Sequence, residues 1–597
     1  MTRESEVRSP ATDAAAALLC ALVDEGVSHI VVSPGSRSQA LALVAAALEG
    51  GRVGLHVRID ERVAGFTALG IGRESGMPAV VICTSGTAVA NLLPAVLEAH
   101  HAGVPLILLT ADRPPELRGV GANQTTRQPG LFAVGARLET DLPVPEALDE
   151  DGTGEQTIML RRLATEAVAA ALGAGARSAG PVHINMPLRE PLAGAFPRWF
   201  AERTPTPAIV ASTPMSTAAS VDETPSGALY QGGGGIGEAD QPAECGEPVR
   251  LEPGPRTVVL AGADAGAEAE RIAHEGGWPL VAEIVSGARF GRHLVHGYRE
   301  LLRDPALGGR IERVVVLGHP TLSREAAALL ARADLEVIAV RGPGEPINLN
   351  GTTTPVDRVV VAEGSADRAW LGEWMRASQA AAVDLSPPAP DAAGLASAEP
   401  ERRLGAISAE LGVIRAPVDR ETLVDAVWRA TWPHDRLVFG SSRLVRVADR
   451  VLPGKRVPVH ANRGLAGIDG TVATAVGVAL ASQADGRPGL TRVLLGDLAF
   501  LHDVGALLLP PDEADPRVQV IVGNDGGGTI FDDLEVARRA DPEVLRRVLY
   551  TPHDVRLEQV AAAYGWEYVR VADRAALDQA LTTPRPGRQL IEVPLAR

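Results

Sequence analysis

Cysteine is close to absent from this chain. Only Cys20, Cys83 and Cys245 occur in 597 residues, with no Cys-x-x-Cys and no histidine at metal-ligand spacing. That argues against a disulfide-stapled scaffold and a zinc ribbon, and leaves reduced core or loop thiols. Aromatic residues are scarce as well, at 3% of the sequence, while alanine is abundant. Such a core suits helices packed on sheets better than a β-sandwich. No apolar run approaches the roughly 20 residues that span a bilayer. The opening Met1-Thr2-Arg3-Glu4-Ser5-Glu6 leads into no signal-peptide core, so a cytoplasmic protein with no membrane partner is expected. An excess of positive charge is also missing. The net charge of −17 disfavours nucleic acid as a partner. The arginines of interest are embedded in Gly/Ser motifs, a pattern of localised anion recognition.

What the chain does have is an alternation of short apolar runs and helical stretches. At this length about three or four domains are expected. In the first block, residues 1–195, Ala14–Asp24, Gln39–Leu48 and Ala88–His100 have helical patterns. His29–Ser33, Ala79–Cys83 and Pro105–Thr110 read as buried strands. Strands that end in Ser/Gly/Pro turns and run into helices are parallel βαβ units. Residues 196–255, rich in Pro, Thr, Ser and Gly and including Gly232–Gly235, read as a linker or variable loop. A second α/β block covers 256–380, a Pro/Ala-rich linker 381–400, and a third block 401–597 with strands at Leu437–Phe439, Arg492–Leu495, Val518–Val522 and Leu590–Val593. The expected fold is α/β, with three doubly wound parallel-sheet domains.

Two distant segments carry the strongest chemical signal. Gly496-Asp497-Leu498 ends one apolar strand of the third block, and Gly523-Asn524-Asp525-Gly526-Gly527 ends the next. Gly496-Asp497 alone would be an ordinary strand-to-helix turn. Two oxygen-bearing segments at neighbouring strand ends are where an open parallel sheet binds ligands, and their donors suit a hard cation. Near the N-terminus, Arg58-Ile59-Asp60-Glu61-Arg62 places acids beside an apolar stretch. Asn462–Gly470 and Thr84-Ser85-Gly86 are glycine-bearing loops leading into helices, able to bring backbone amides close to an anion.

The Gly-Asp and Asn-Asp spacing resembles the metal motif of thiamine-diphosphate enzymes. Ser33-Pro34-Gly35-Ser36-Arg37-Ser38, Thr110–Leu117, Gly121-Ala122-Asn123-Gln124 and Asn462–Gly470 are similar to those of one family among them. That family is the 2-succinyl-5-enolpyruvyl-6-hydroxy-3-cyclohexene-1-carboxylate synthases of menaquinone biosynthesis. The likeness covers the first and third blocks and is weak in the middle one. It implies a pyrimidine-binding first domain, a diphosphate-binding third domain, and thiamine diphosphate held with Mg²⁺ or Mn²⁺. The implied metal ligands are Asp497, the Gly527 carbonyl and one of Asn524 and Asp525. Asp525 aligns with the usual ligand, although the family commonly has Asn-Asn here. The implied cofactor contacts are Glu61, Thr84, Ser85, Gly86, Ser442, Arg463, Gly464, Ile468, Gly496, Leu498 and Ala499. Glu61 is the acid that activates the pyrimidine ring, with Asp60 its local competitor, and Ile468 the wedge that bends the cofactor.

The family reaction joins 2-oxoglutarate to isochorismate with loss of CO₂. Its three carboxylates beyond the cofactor call for fixed guanidinium forks. The resemblance assigns Ser36, Arg37, Arg113 and Gln124 to isochorismate, Arg446 and Arg463 to the succinyl carboxylate, and Ile530 and Phe531 to the pocket wall. Arg289 and Arg292 are implied to reach in from the middle domain. A homodimer or homotetramer is implied too. The rival readings are another thiamine-dependent 2-oxoacid decarboxylase or carboligase, and a non-catalytic relative. His100-His101, reminiscent of a decarboxylase pair, reads instead as a cap at a helix end. Thr257–Gly266 has no Gly-x-Gly-x-x-Gly fingerprint for a flavin.

Overall fold

The computed structural model describes residues 8–50, 53–147, 153–174, 178–203, 247–364, 366–532, 534–583 and 586–597. Cys245 and the Gly232–Gly235 run lie outside them. Three parallel sheets organise the chain. The first contains β1 (His29–Val32), β2 (Gly54–Val57), β3 (Ala79–Cys83), β4 (Leu106–Asp112), β5 (Leu138–Asp141) and β6 (Pro181–Pro187), in the order β2-β1-β3-β4-β6-β5. The middle part has β7 (Val249–Leu251), β8 (Thr257–Ala261), β9 (Leu280–Ala282), β10 (Arg313–Leu317), β11 (Glu336–Val340), β12 (Thr354–Val356) and β13 (Val359–Val361). Its main sheet runs β12-β11-β10-β8-β9, and β7 pairs with β13. The third sheet contains β14 (Arg436–Phe439), β15 (Val459–Ala461), β16 (Thr491–Gly496), β17 (Val518–Asn524), β18 (Glu567–Arg570) and β19 (Arg588–Pro594), ordered β15-β14-β16-β17-β19-β18. Counted from its own first strand, the third sheet repeats the winding of the first.

The central strands are apolar along their length and buried on both faces, as β3 and β4 show throughout, which is what a helix-covered parallel sheet requires. Helix Glu61–Ser75 is capped by Asp60, whose carboxylate accepts from the Arg62 and Val63 amides at 2.8 and 3.4 Å, and ends at left-handed Gly76. The expected helix Ala88–His100 is two helices, Thr87–Ala90 and Leu93–Ala102. Pro94 explains the break, since it has no N–H to return to the Ala90 carbonyl. The stretch 196–255 carries helix Arg198–Arg203 and β7, and 381–400 carries the single turn Ala392–Leu395.

One hydrophobic core passes from Val81, Leu106 and Phe66 of the first domain to Val472, Val476, Val493 and Val520 of the third. Helices Glu61–Ser75 and Thr471–Ser482 cross at its centre, through Gly70 and Gly477. Among the described residues no helix is long and apolar enough to cross a membrane. Cys20 and Cys83 are buried.

Candidate active site

Parallel strands put all their carboxyl ends on one edge, and nearly every residue singled out from sequence lies there. Ser36 and Arg37 follow β1, Glu61 follows β2, Thr84–Gly86 follow β3, and Arg113 follows β4. In the third sheet Ser442 follows β14, Arg463–Ile468 follow β15, Asp497–Ala499 follow β16, and Asp525–Phe531 follow β17.

In the first domain these loops are locked together. Gly35 packs so close to Thr84 that a Cβ would collide with it, and Thr84 Oγ1 accepts from the Arg37 amide at 3.3 Å. Ser85 Oγ donates to the Gln124 carbonyl, and Gln124 Nε2 returns a bond to the Ser85 carbonyl. The Gly86 amide donates to Gln128 Oε1. Arg37 is buried, with one guanidinium nitrogen on the Leu188 carbonyl at 3.0 Å. Ser36 and Gln124 are exposed, and Arg113 is half-buried. Glu61, relieved of capping by Asp60, is half-buried at the first position of its helix. Burial, then the Glu61 charge, pushes the Cys83 thiol up.

In the third domain Asp497 is 2% exposed. One oxygen of its carboxylate accepts from the Gly527 amide at 2.8 Å and lies 3.1 Å from His553 Nε2. Burial, then the charge of nearby Asp525, raise its pKa. Asp497 after β16, with Asn524, Asp525 and the glycine turn at the end of β17, offers hard-oxygen donors of the kind that suit Mg²⁺ or Mn²⁺. The Asn524 amide nitrogen donates to Glu592 Oε1 at 2.8 Å, and its Oδ1 accepts from the Gly526 N–H at 3.1 Å. Ser442 caps helix Arg443–Val451 and packs over Gly496. Leu498 and Ala499 open the helix led by Asp497. Ile468 is half-buried against the shared core, and Ile530 and Phe531 form a half-exposed turn.

Arg463 is 3% exposed and donates to the Thr321 carbonyl and hydroxyl at 3.0 and 2.8 Å. Burial draws its pKa down against the pull of Glu283, Glu98 and Asp449. Arg446 is half-buried and held down by burial, then by Arg463, Arg299 and Arg324. The result is a cationic corner shared by the middle and third domains. Glu283, fully buried after β9, accepts from the Leu322 amide at 2.7 Å and the Thr321 amide at 3.3 Å. Burial, then Asp449, push its carboxyl up to about 8.

Three expectations need correction. Arg289 is 3% exposed and donates to the carbonyls of Ala282, Asp449 and Leu452. Those bonds fasten the middle domain to the third and occupy the Arg289 guanidinium, while Arg292 is exposed. The middle-domain arginines whose charge reaches Arg446 are Arg299 and Arg324. The Gly464 amide, expected at the cofactor, donates to buried Glu98 at 2.9 Å. His100 does sit in the last turn of its helix, but burial, Arg137 and His101 lower its pKa and oppose the cationic form a cap would use.

Sequence reasoning missed His553, Glu98, Glu283, Thr321 and Arg420, the last reaching Asp525 Oδ2 at 2.7 Å. Each belongs to no glycine-bearing motif, and each reaches the site from a distant segment. An acid directly after an apolar strand, as at Glu283, was the one available signal.

Comparison with known proteins adds two findings. The family described as thiamine pyrophosphate enzyme, N-terminal TPP binding domain, matches residues 12–131. Over 99% of this chain and 97% of the relative, a protein of Leifsonia xyli subsp. xyli named 2-succinyl-5-enolpyruvyl-6-hydroxy-3-cyclohexene-1-carboxylate synthase is 53% identical. Proteins of the same name from Clavibacter michiganensis subsp. michiganensis and a Nocardioides species are 51% and 40% identical, over 99% and 100% of this chain and 97% of each relative.

Proposed function

Because the chain belongs to the thiamine-diphosphate-dependent 2-succinyl-5-enolpyruvyl-6-hydroxy-3-cyclohexene-1-carboxylate synthase family, we propose that it decarboxylates 2-oxoglutarate and adds the remaining four-carbon unit to isochorismate. The C–C bond to the oxoglutarate carboxylate breaks and CO₂ leaves. A new bond forms in a 1,4 sense at the ring alkene of isochorismate, and the ring takes up a proton. When bound, thiamine diphosphate supplies the nucleophilic carbon and the electron sink for these steps.

The observation that carries this reading is the pairing of an acidic and a cationic corner along one edge of the third sheet. Asp497 and Asp525 lead from β16 and β17, and Arg446 and Arg463 from the loops after β14 and β15. In the acidic corner Asp497, one of Asn524 and Asp525, and the Gly527 carbonyl would hold Mg²⁺ or Mn²⁺ and through it the diphosphate, with Leu498 and Ala499 next to Asp497 in the chain. In the cationic corner Arg463 and Arg446 take the succinyl carboxylate, near Ser442. Glu61 would hold the proton exchanged with the pyrimidine ring, Thr84–Gly86 would line that ring, and Ile468 would support the cofactor from the third domain. Ser36, Arg37, Arg113 and Gln124 receive isochorismate, with Ile530 and Phe531 as an apolar wall. Residues 1–195 form the pyrimidine domain and 401–597 the diphosphate domain. The active unit is a homodimer in which Glu61 of one chain serves the metal corner of its partner, and a tetramer is a pair of such dimers.

The test is incubation with thiamine diphosphate, Mg²⁺ and 2-oxoglutarate, with and without isochorismate, following isochorismate loss and product mass. Consumption of isochorismate to a succinyl-bearing adduct, dependent on every component, is expected. Steady CO₂ release from 2-oxoglutarate with isochorismate untouched would identify a decarboxylase instead. Cofactor binding with no turnover would indicate a non-catalytic relative.

A further inference from the structure

Glu98 lies in helix Leu93–Ala102 of the first domain and is 3% exposed. Its carboxylate is occupied by backbone of the third domain. Oε1 accepts from the Gly464 amide at 2.9 Å and Oε2 from the Leu465 amide at 2.8 Å, each from a segment more distant in sequence than any other in its own domain. Gly464 is pressed onto the same helix: a Cβ there would stand 2.9 Å from His101 Cβ and 3.0 Å from the Glu98 carbonyl oxygen. Behind the carboxylate is Arg73, whose side chain is 5% exposed. Its Nη2 lies 3.8 Å from Glu98 Oε1, and its Nη1 is 3.0 Å from both carboxylate oxygens of Asp264 in the middle domain.

The two anchored amides directly follow Arg463. Leu465 is 54% exposed, so burial of its side chain does not hold the loop. Ala466 has a left-handed φ of 57°, which an alanine keeps only where its surroundings impose it. The carboxylate of Glu98 supplies that constraint, one oxygen for each amide. A carboxamide in its place has a single acceptor oxygen and sets an N–H₂ group against the second amide.

We propose that Glu98 is a positioning residue for the reaction: by holding the Gly464 and Leu465 amides it fixes the loop from which Arg463 reaches the succinyl carboxylate, and Arg73 ties that anchor to the middle domain through Asp264. This rests on the reading of Arg463 as the residue that takes that carboxylate.

The test uses the full-length protein with Glu98→Gln, Gly464→Ala, their combination, and Arg463→Met. Hydrogen exchange is followed by mass spectrometry without cofactor, and KM and kcat are measured with thiamine diphosphate and Mg²⁺. In Glu98→Gln the peptide covering 462–470 should exchange about tenfold faster or more, with the rest of the third domain unchanged. KM for 2-oxoglutarate should rise about tenfold, with kcat and isochorismate KM within about threefold of wild type. Gly464→Ala should reproduce both effects, and the double variant should be little worse than either single one, because both release the same loop. Unchanged exchange in 462–470, faster exchange throughout the domain, or additive losses in the double variant would overturn the proposal. Should Glu98→Gln fail to fold, Gly464→Ala must show the local exchange and the 2-oxoglutarate KM rise for the proposal to stand. If Arg463→Met leaves 2-oxoglutarate KM unchanged, the substrate reading is wrong and the positioning role falls with it; a KM rise in Arg463→Met with none in Glu98→Gln refutes the positioning role alone.

Discussion

Gly70 and Gly477 face each other where helix Glu61–Ser75 crosses helix Thr471–Ser482. A Cβ on Gly70 would run into the Thr474 carbonyl oxygen, and one on Gly477 into that of Thr67. Two helix backbones approach this closely only where side chains are missing. Nearby, Arg62 reaches the His502 carbonyl at 3.0 Å, and Gly470 has no room for a Cβ beside the Phe66 ring. The crossing therefore sets how the Glu61 helix sits on the third domain. Gly70→Ala should destabilise the protein by about 1–3 kcal/mol, the usual cost of overpacking. Thermal unfolding with and without cofactor measures it, and an unchanged midpoint would show that the crossing yields easily.

Glu61→Gln keeps the size of the side chain and removes its proton affinity. Turnover should fall by roughly 100- to 10,000-fold, the scale of a lost general acid–base contribution, while thiamine diphosphate still binds. Hydrogen exchange at the thiazolium carbon separates the two effects. Full turnover in this variant would assign the activation to another group.

Metal removal should release the cofactor. Chelation is expected to abolish thiamine diphosphate binding, and Mg²⁺ or Mn²⁺ to restore it, because the diphosphate requires a hard cation among fixed oxygens. Asp497→Ala should block that restoration. Asn524→Ala and Asp525→Ala, compared for Mn²⁺ affinity, assign the side-chain ligand, and Asn524→Ala should also lower stability through Glu592, its hydrogen-bond partner. Metal binding unchanged in both variants would place the side-chain ligand outside this turn.

Arg463→Met should raise KM for 2-oxoglutarate by about 10- to 100-fold, as expected for a lost charge-assisted bond to a carboxylate. Isochorismate KM, measured at saturating 2-oxoglutarate, should move much less. An equal rise in both would mean that Arg463 holds the two domains together and does not select a substrate.

Stability should decline with rising pH across a defined window. Glu283 has an ordinary value of 4.5 and a folded value of about 8, and Asp503, buried against the Val472 and Ala473 amides, moves from 3.8 to about 7. Between those limits the unfolded chain has released these protons and the folded chain keeps them. The folded state then binds more protons, so unfolding free energy falls as pH rises. The contribution is complete below about pH 4 and gone above about pH 8. Denaturant titrations from pH 5 to 8.5 should show a shallower slope for Glu283→Gln, with the remainder due to Asp503. An identical slope would place the Glu283 proton elsewhere.

Much of the local architecture was readable without coordinates. Gln39–Leu48 and Ala79–Cys83 fall where periodicity placed them, because parallel strands need unbroken apolar runs and helices need a three-to-four-residue repeat. The helix break before Pro94 was readable too, but the apolar pattern across Ala88–His100 masked it. That Asp497 and the Asn524–Gly527 turn stand at neighbouring strand ends was legible because both follow directly on apolar runs.

By itself the sequence determined the class of fold, the loops at the strand ends and the kind of chemistry they hold, since those follow from period, turn residues and donor types along a few neighbouring positions. Only the tertiary structure decided which charges meet. Asp525 meets Arg420, Arg463 meets Thr321, the Gly464 amide is taken by Glu98, and Arg289 is drawn into the joint between domains. Those pairings depend on packing between segments tens to hundreds of residues apart. Burial then makes each pairing consequential, because a charge removed from water must find a partner wherever the fold brings one.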